Sequence, residues 1–298
     1  MLAASAWAQS PSAESFKRGT DYLKKGDYAH AIEAYTECIR LDPHSAIAFH
    51  ARGYAYYASH DDDRAIQDFN EAIRLEPEYG DAFRERARAH EDKIDYEHAI
   101  QDYAQAIRIK PGEYILLYDR AYDYQRKGEY TLALADLNEL VRRFPQSADA
   151  YRDRGVAYLY SGHLAEAQQD ISHAVQLNPR GPYDVIWLYI ARTKAGAKAE
   201  DELAKNAAAL DVTKWPAPVI QLFLGKITPD AVLQAAADKD PEKSTKQQCQ
   251  ANFYIAEYQA FRGQHEVAQK NFRLAGETCN RNYFLYVKSA QEELNSQR

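Results

Sequence analysis

Apolar positions along the first 181 residues recur three and four apart, the spacing of an amphipathic helix. The pattern itself repeats every 34 residues. Ala31, Ala65, Ala99, Ala133 and Ala167 mark one such position, and Pro43, Pro77, Pro111, Pro145 and Pro179 another. Between each Ala and Pro come two more apolar positions: Tyr35 and Cys38, Phe69 and Ala72, Tyr103 and Ala106, Leu137 and Leu140, Ile171 and Ala174. Upstream of each Ala stand a small residue and then a ring: Gly19 and Tyr22, Gly53 and Tyr56, Ala87 and His90, Ala121 and Tyr124, Gly155 and Tyr158. Each period therefore predicts two antiparallel helices. The small residue and the Ala let the helices approach closely, and the rings fill the space beside that contact. Gly26, Gly128 and Gly162 fall in the turn between paired helices, where positive φ is often required. The Pro stops the second helix.

These positions match the tetratricopeptide repeat (TPR), with its pattern W-x2-L-G-x2-Y, A-x3-F, x2-A and P. The resemblance covers five gapless repeats, 12–45, 46–79, 80–113, 114–147 and 148–181. It implies an all-α fold, a right-handed TPR α-solenoid. A single repeat cannot bury its apolar face alone, so the stack is expected to be cooperative. One departure stands out. Position seven, usually apolar in the family, is Arg18, Arg52, Arg86, Arg120 and Arg154. Position twenty-three is Asp68, Asp102, Asp136 and Asp170 in the last four repeats. Ion pairs between neighbouring helices are expected, within a repeat or between repeats.

After Pro182 the register fades while helical patterns continue. Residues 182–246 read as a helical insert that caps the solenoid. Helices are predicted over Tyr183 to Ala195, Ala199 to Leu210 and Val219 to Leu224. Trp215-Pro216-Ala217-Pro218 breaks the chain, and Thr228 with Pro229 opens another helix. Asp238 to Ser244 reads as a polar loop. Within 247–298 a sixth, TPR-like pair emerges, with Ala256, Gly263, Ala268, Phe272 and Ala275 at the family positions, followed by an amphipathic helix over Tyr283 to Leu294. Cys249 then starts the first helix of this pair and Cys279 ends the second, so a disulfide between them is sensible. Two free thiols are the alternative. Cys38 reads as inert packing.

The plan of five repeats, a Trp-Pro break, Leu224 to Ile227 and an isolated repeat beginning Asn252-Phe253-Tyr254 resembles the bacterial envelope lipoprotein NlpI family. That resemblance implies a non-catalytic adaptor that scaffolds cell-wall hydrolases and delivers them to a tail-specific protease. No Cys lies near the N-terminus for lipid attachment, which departs from that family. Residues 1–10 end in Ala6-Trp7-Ala8, a secretory cleavage pattern, and read as the remnant of a signal peptide. A periplasmic or secreted location follows, the alternative being a cytoplasmic TPR scaffold for assembly or signalling. The disulfide agrees with the first.

Net charge of -7 disfavours nucleic acid, and no apolar run reaches membrane-spanning length. No nucleophile elbow, Gly-rich phosphate loop or H-E-x-x-H occurs, so neither an enzyme nor a cofactor is expected. No metal site is expected either. His90 replaces a repeat ring and reads as a packing residue. Family geometry puts positions two, five, nine, twelve and thirteen of each first helix on the concave face. By that register the protein-binding face carries Tyr54, Tyr57, Arg84, Arg88, Tyr118, Tyr122, Arg126, Arg152 and Tyr160. Asp81, Glu91, Asp92 and Asp149 alternate with them. Tyr and Arg suit interface hot spots. The expected partners are proteins or extended peptides, peptidoglycan hydrolases or a tail-specific protease among them, and a homodimer through solenoid ends or edges. The competing reading is that these tyrosines decorate the repeat or cover C-terminal helices folded into the groove.

Overall fold

The computed structural model describes residues 10–279 and 287–296. The described residues are helical, with no strand among them. The chain divides into two compact units, Met1–Asp123 and Tyr124–Arg298. The expected signal remnant lies outside the described residues except for Ser10.

In the first unit, helices α1 (Pro11–Lys24) and α2 (Tyr28–Leu41), α3 (Ala46–Ala58) and α4 (Asp62–Leu75), and α5 (Gly80–Asp92) and α6 (Tyr96–Ile109) form three antiparallel pairs. The division falls inside α7 (Ile115–Lys127). Consecutive first helices, α1 with α3 and α3 with α5, also touch, so they line up along one side. The repeat residues do what their spacing predicts. Ala31, Ala65 and Ala99 are completely buried, as are Phe69 and Ala72. A Cβ on Gly53 would stand 2.9 Å from the Phe69 ring, inside van der Waals contact, so glycine sets the depth of that helix crossing. Each second helix begins on an aspartate whose carboxylate accepts a backbone N–H one turn on: Asp27 from His30, Asp61 from Arg64 and Asp95 from His98.

The turn between paired helices is left-handed at position fifteen in every repeat. Gly26 (φ 74°), Gly128 (φ 78°) and Gly162 (φ 84°) occupy it as expected, but His60 (φ 63°) and Ile94 (φ 59°) adopt the same conformation without being glycine.

The second unit holds α8 (Tyr130–Arg143), α9 (Ala148–Tyr160) and α10 (Leu164–Leu177), then α11 (Pro182–Lys194), α12 (Glu200–Ala207), α13 (Ala217–Phe223), α14 (Pro229–Ala235), α15 (Pro241–Phe261), α16 (His265–Thr278) and α17 (Val287–Ser296). One apolar core runs from Val156 and Ile171 of the fifth repeat through Ile186 and Ile190 to Phe253 and Phe272. Trp187 is its hinge, 6.0 Å from the Phe253 ring and 6.2 Å from Tyr254. The C-terminal helices thus bury the face that the fifth repeat would otherwise leave open. Thr228 caps α14 as its sequence suggests, accepting the Ala231 N–H at 3.3 Å.

Two expectations need correction here. Asp238 to Ser244 is not a loop throughout, because Asp240 caps α15 and Pro241 occupies its first turn. A proline costs nothing there, since that N–H has no helical partner. Consequently α15 runs 21 residues and crosses the boundary drawn at 246/247, and Cys249 lies inside it rather than at its start. Cys249 and Cys279 are bonded in the structure, their Cα atoms 4.7 Å apart. Of the predicted Tyr283 to Leu294 helix, residues 283–286 lie outside the described residues and the remainder belongs to α17.

Candidate functional site

The repeated Arg and Asp do not form a free charged surface. The guanidinium of Arg52 donates through Nε and Nη2 to both carboxylate oxygens of Asp68, at 2.7 and 2.8 Å. Arg86 meets Asp102 in the same way at 2.8 and 2.6 Å, and Arg154 meets Asp170 at 2.6 and 2.8 Å. These forks lie within a repeat, first helix to second. The remaining Nη1 reaches back to the preceding repeat's second helix. It donates to Thr36 Oγ1 from Arg52, to Asn70 Oδ1 from Arg86 and to Asn138 Oδ1 from Arg154. The pairing is therefore ionic within repeats and neutral between them. Arg18 has Ala34 where the later repeats place Asp. The asparagines and threonine at position twenty-five were not singled out from sequence, and only their shared place in the repeat could have marked them, a signal broken by Ala104 in the third.

In the first unit, the binding-face residues stand on α3, α5 and α7. Tyr54 is exposed, and its ring lies 6.5 Å from that of the half-buried Tyr57. Burial, then the nearby Asp92, push the Tyr57 phenol above its ordinary range, so it stays a neutral hydroxyl. Arg88 lies 3.4 Å from Glu85 on its own helix. Arg84, one turn earlier and also half-buried, is different. Its Nε is buried without a hydrogen-bond partner. Tyr118 and Tyr122 sit one turn apart on α7, both half-buried.

In the second unit the expected face is largely consumed by the fold. Arg152 is held by three aspartates: Asp149 at 2.6 Å, Asp153 at 3.1 Å and the buried Asp184 of α11 at 3.2 Å. Burial alone would lower its pKa, but these carboxylates outweigh that and hold it above the ordinary arginine value. Tyr160 lies edge-on to Trp187 at 6.2 Å and donates its hydroxyl to Glu257 of α15 at 3.2 Å. Both residues were expected to meet a partner. Instead they bind the C-terminal helices, whose packing on the fifth repeat claims them. Arg126 is half-buried at the end of α7. A wide groove of about 790 Å³ opens elsewhere in this unit beside Tyr151, Gln168 and His173, but its two cations are engaged, Arg154 with Asp170 and Arg192 with Glu202. Among the described residues, no helix is long and apolar enough to cross a membrane.

The tetratricopeptide repeat family model matches residues 16–77, 50–114 and 118–182. Among solved structures, a tetratricopeptide repeat protein from Parabacteroides merdae ATCC 43184 aligns over 95% of this chain and 98% of its own, at 14% identity and a TM-score of 0.64. MamA aligns over 56% of this chain and 91% of its own, at 22% identity and a TM-score of 0.53. YrrB, described as a TPR protein with an unusual peptide-binding site, aligns over 59% and 92%, at 18% identity and a TM-score of 0.52. At these identities the likeness is one of fold.

Proposed function

The chain belongs to the tetratricopeptide-repeat family, and from that premise we propose that it is a non-catalytic adaptor binding proteins or extended peptides along the first helices of its N-terminal unit. Arg84 carries the reading. Its buried Nε has already lost water and has no acceptor in the fold. The side chain as a whole is only half-buried, and its guanidinium can donate to a peptide carbonyl or carboxylate from its accessible edge. The exposed Tyr54 on the neighbouring first helix offers a rigid amphipathic ring for the same partner. Arg88, Tyr57, Tyr118 and Tyr122 extend that surface along α3, α5 and α7.

The test is a double substitution, Tyr54→Ala with Arg84→Ala, in protein used as bait against native envelope extract. Recovery of the co-purifying partner should fall about tenfold or more, the usual loss for two interface anchors. Helicity and melting should be unchanged. Undiminished capture would reject this surface. Arg152 is unsuited to such a test, because removing it strands Asp184 inside the fold.

The place of action we propose is the bacterial cell envelope. A disulfide between a fully buried and a half-buried cysteine fits an oxidising compartment. The resemblance to the envelope lipoprotein NlpI family supports the same reading, and with it a role in bringing cell-wall hydrolases to a protease. Fractionation of the native gene product decides this. Protein confined to the cytoplasm, with both thiols free, would favour the assembly or signalling scaffold instead.

A further inference from the structure

The turn of the third repeat differs chemically from its equivalents. In each of the first three repeats, positions eleven, sixteen and nineteen meet where the helix pair turns. In the first, the Tyr22 ring stacks on His30 at 5.1 Å, and His30 Nδ1 lies 2.8 Å from Asp27. In the second, the Arg64 guanidinium sits 4.5 Å over the Tyr56 ring and is paired with Asp61. A phenol ring provides a flat surface in both, and a carboxylate anchors the basic group. In the third repeat His90 replaces the phenol. It stacks on His98 at 5.2 Å with 23° between planes, so the packing role is met. An imidazole also brings a ring nitrogen that the phenol lacks. His90 Nδ1 is buried without a hydrogen-bond partner, and lies 3.5 Å from Asp95 Oδ2. His98 Nδ1 approaches the same oxygen from the other side at 2.7 Å.

We propose that His90, Asp95 and His98 form a binding site for a divalent transition metal of the zinc class. Ligand atoms from the three residues lie within 4.8 Å of one another. Bonds of about 2.0–2.1 Å to a tetrahedral ion separate its ligands by about 3.3 Å, close to the spacing already present between His90 and Asp95. His98 is exposed and needs only to withdraw slightly from the carboxylate. Two imidazoles and one carboxylate suit Zn²⁺, Co²⁺, Ni²⁺ or Cu²⁺ better than Ca²⁺ or Mg²⁺, which require more oxygen ligands. The site does not compete with helix capping. Asp95 accepts the His98 backbone N–H through Oδ1, which leaves Oδ2 for the ion. Remaining coordination positions face solvent on the His98 side, where water completes the shell.

The experiment uses the full chain, stripped with a chelator and then titrated with Zn²⁺ by calorimetry and with Co²⁺ by visible absorption. One equivalent should bind with micromolar affinity, and Co²⁺ should develop ligand-field bands. His90→Tyr, which restores the ring of the neighbouring repeats, should weaken binding at least about tenfold while leaving the melt unchanged. His98→Ala should weaken it similarly. His30→Ala, which removes an equally exposed His–Asp pair from the first repeat, should have no effect. Should His90→Tyr fail to fold, the exposed His98→Ala carries the test. No binding tighter than millimolar in the parent, or affinity unchanged in a folded variant of either histidine, would overturn the proposal.

Discussion

Ile94 holds a β-branched side chain at φ 59°, where three other repeats place glycine. Its Cβ crowds the following backbone, a strain of about 1–2 kcal/mol that the flanking helices impose. Ile94→Gly relieves it and gives back part of the gain as unfolded-chain entropy. The side chain is half exposed, so little packing is lost. The expected outcome is a stabilisation of about 1 kcal/mol, read as a higher urea midpoint at constant slope. The same position shows what residue-level reading can reach. Gly26, Gly128 and Gly162 announce their turns because glycine has few other reasons to recur there. His60 and Ile94 carry no such mark, since their conformation is forced by the helices on either side. The binding residues divide in the same manner. Tyr54 and Arg84 remain available because nothing in the first unit claims them, whereas the claim on Arg152 comes from Asp184, 32 positions later on a helix outside the repeat register.

At the scale of an element, each Arg–Asp fork ties a first helix to its partner through two parallel, mostly buried hydrogen bonds. The side chain of Asp102 is only 8% exposed and that of Arg86 20%. Asp102→Ala therefore leaves a desolvated guanidinium without its counter-charge and should cost about 3 kcal/mol. Replacing both partners, Arg86→Met with Asp102→Leu, should recover most of that loss, because burying the two charges was itself expensive. A double-mutant cycle by chemical denaturation checks both values. The period of 34 makes these partners legible in the sequence. It did not reveal where α15 begins. The two turns after Asp240 are polar and exposed, and a solvated helical turn lacks the apolar rhythm by which helices are found.

For the molecule as a whole, the N-terminal unit is regular while the C-terminal unit closes on itself. The bond between Cys249 and Cys279 spans 30 residues and ties the middle of α15 to the end of α16. By loop-closure entropy, reduction should cost about 3–4 kcal/mol, and it should act on the C-terminal unit. Hydrogen exchange under reducing and oxidising conditions would show faster opening of α15 and α16, with α3 to α6 unchanged. Equal loosening of both units would contradict that localisation. The repeats and the all-α fold were visible in sequence because five copies reinforce one another. The cap was harder to bound, because each of its helices occurs once and its contacts, such as Trp187 with Phe253, join distant positions.

The arginine links have a consequence for how such an array changes length. The buried charge is closed inside each of these repeats, Arg52 with Asp68 and Arg86 with Asp102, and from the same guanidinium only a neutral donation to Thr36 or Asn70 crosses the joint, while the ion pairs that cross it, Lys93 with Asp63 and Arg108 with Glu78, are exposed. Cutting or duplicating the chain at the joint between these repeats therefore strands, from the buried forks, only an amide or a hydroxyl that water can satisfy, and from the exposed pairs only charges that water already solvates. The electrostatic unit coincides with the genetic one, so a repeat can be gained or lost by recombination without leaving a buried charge to repair.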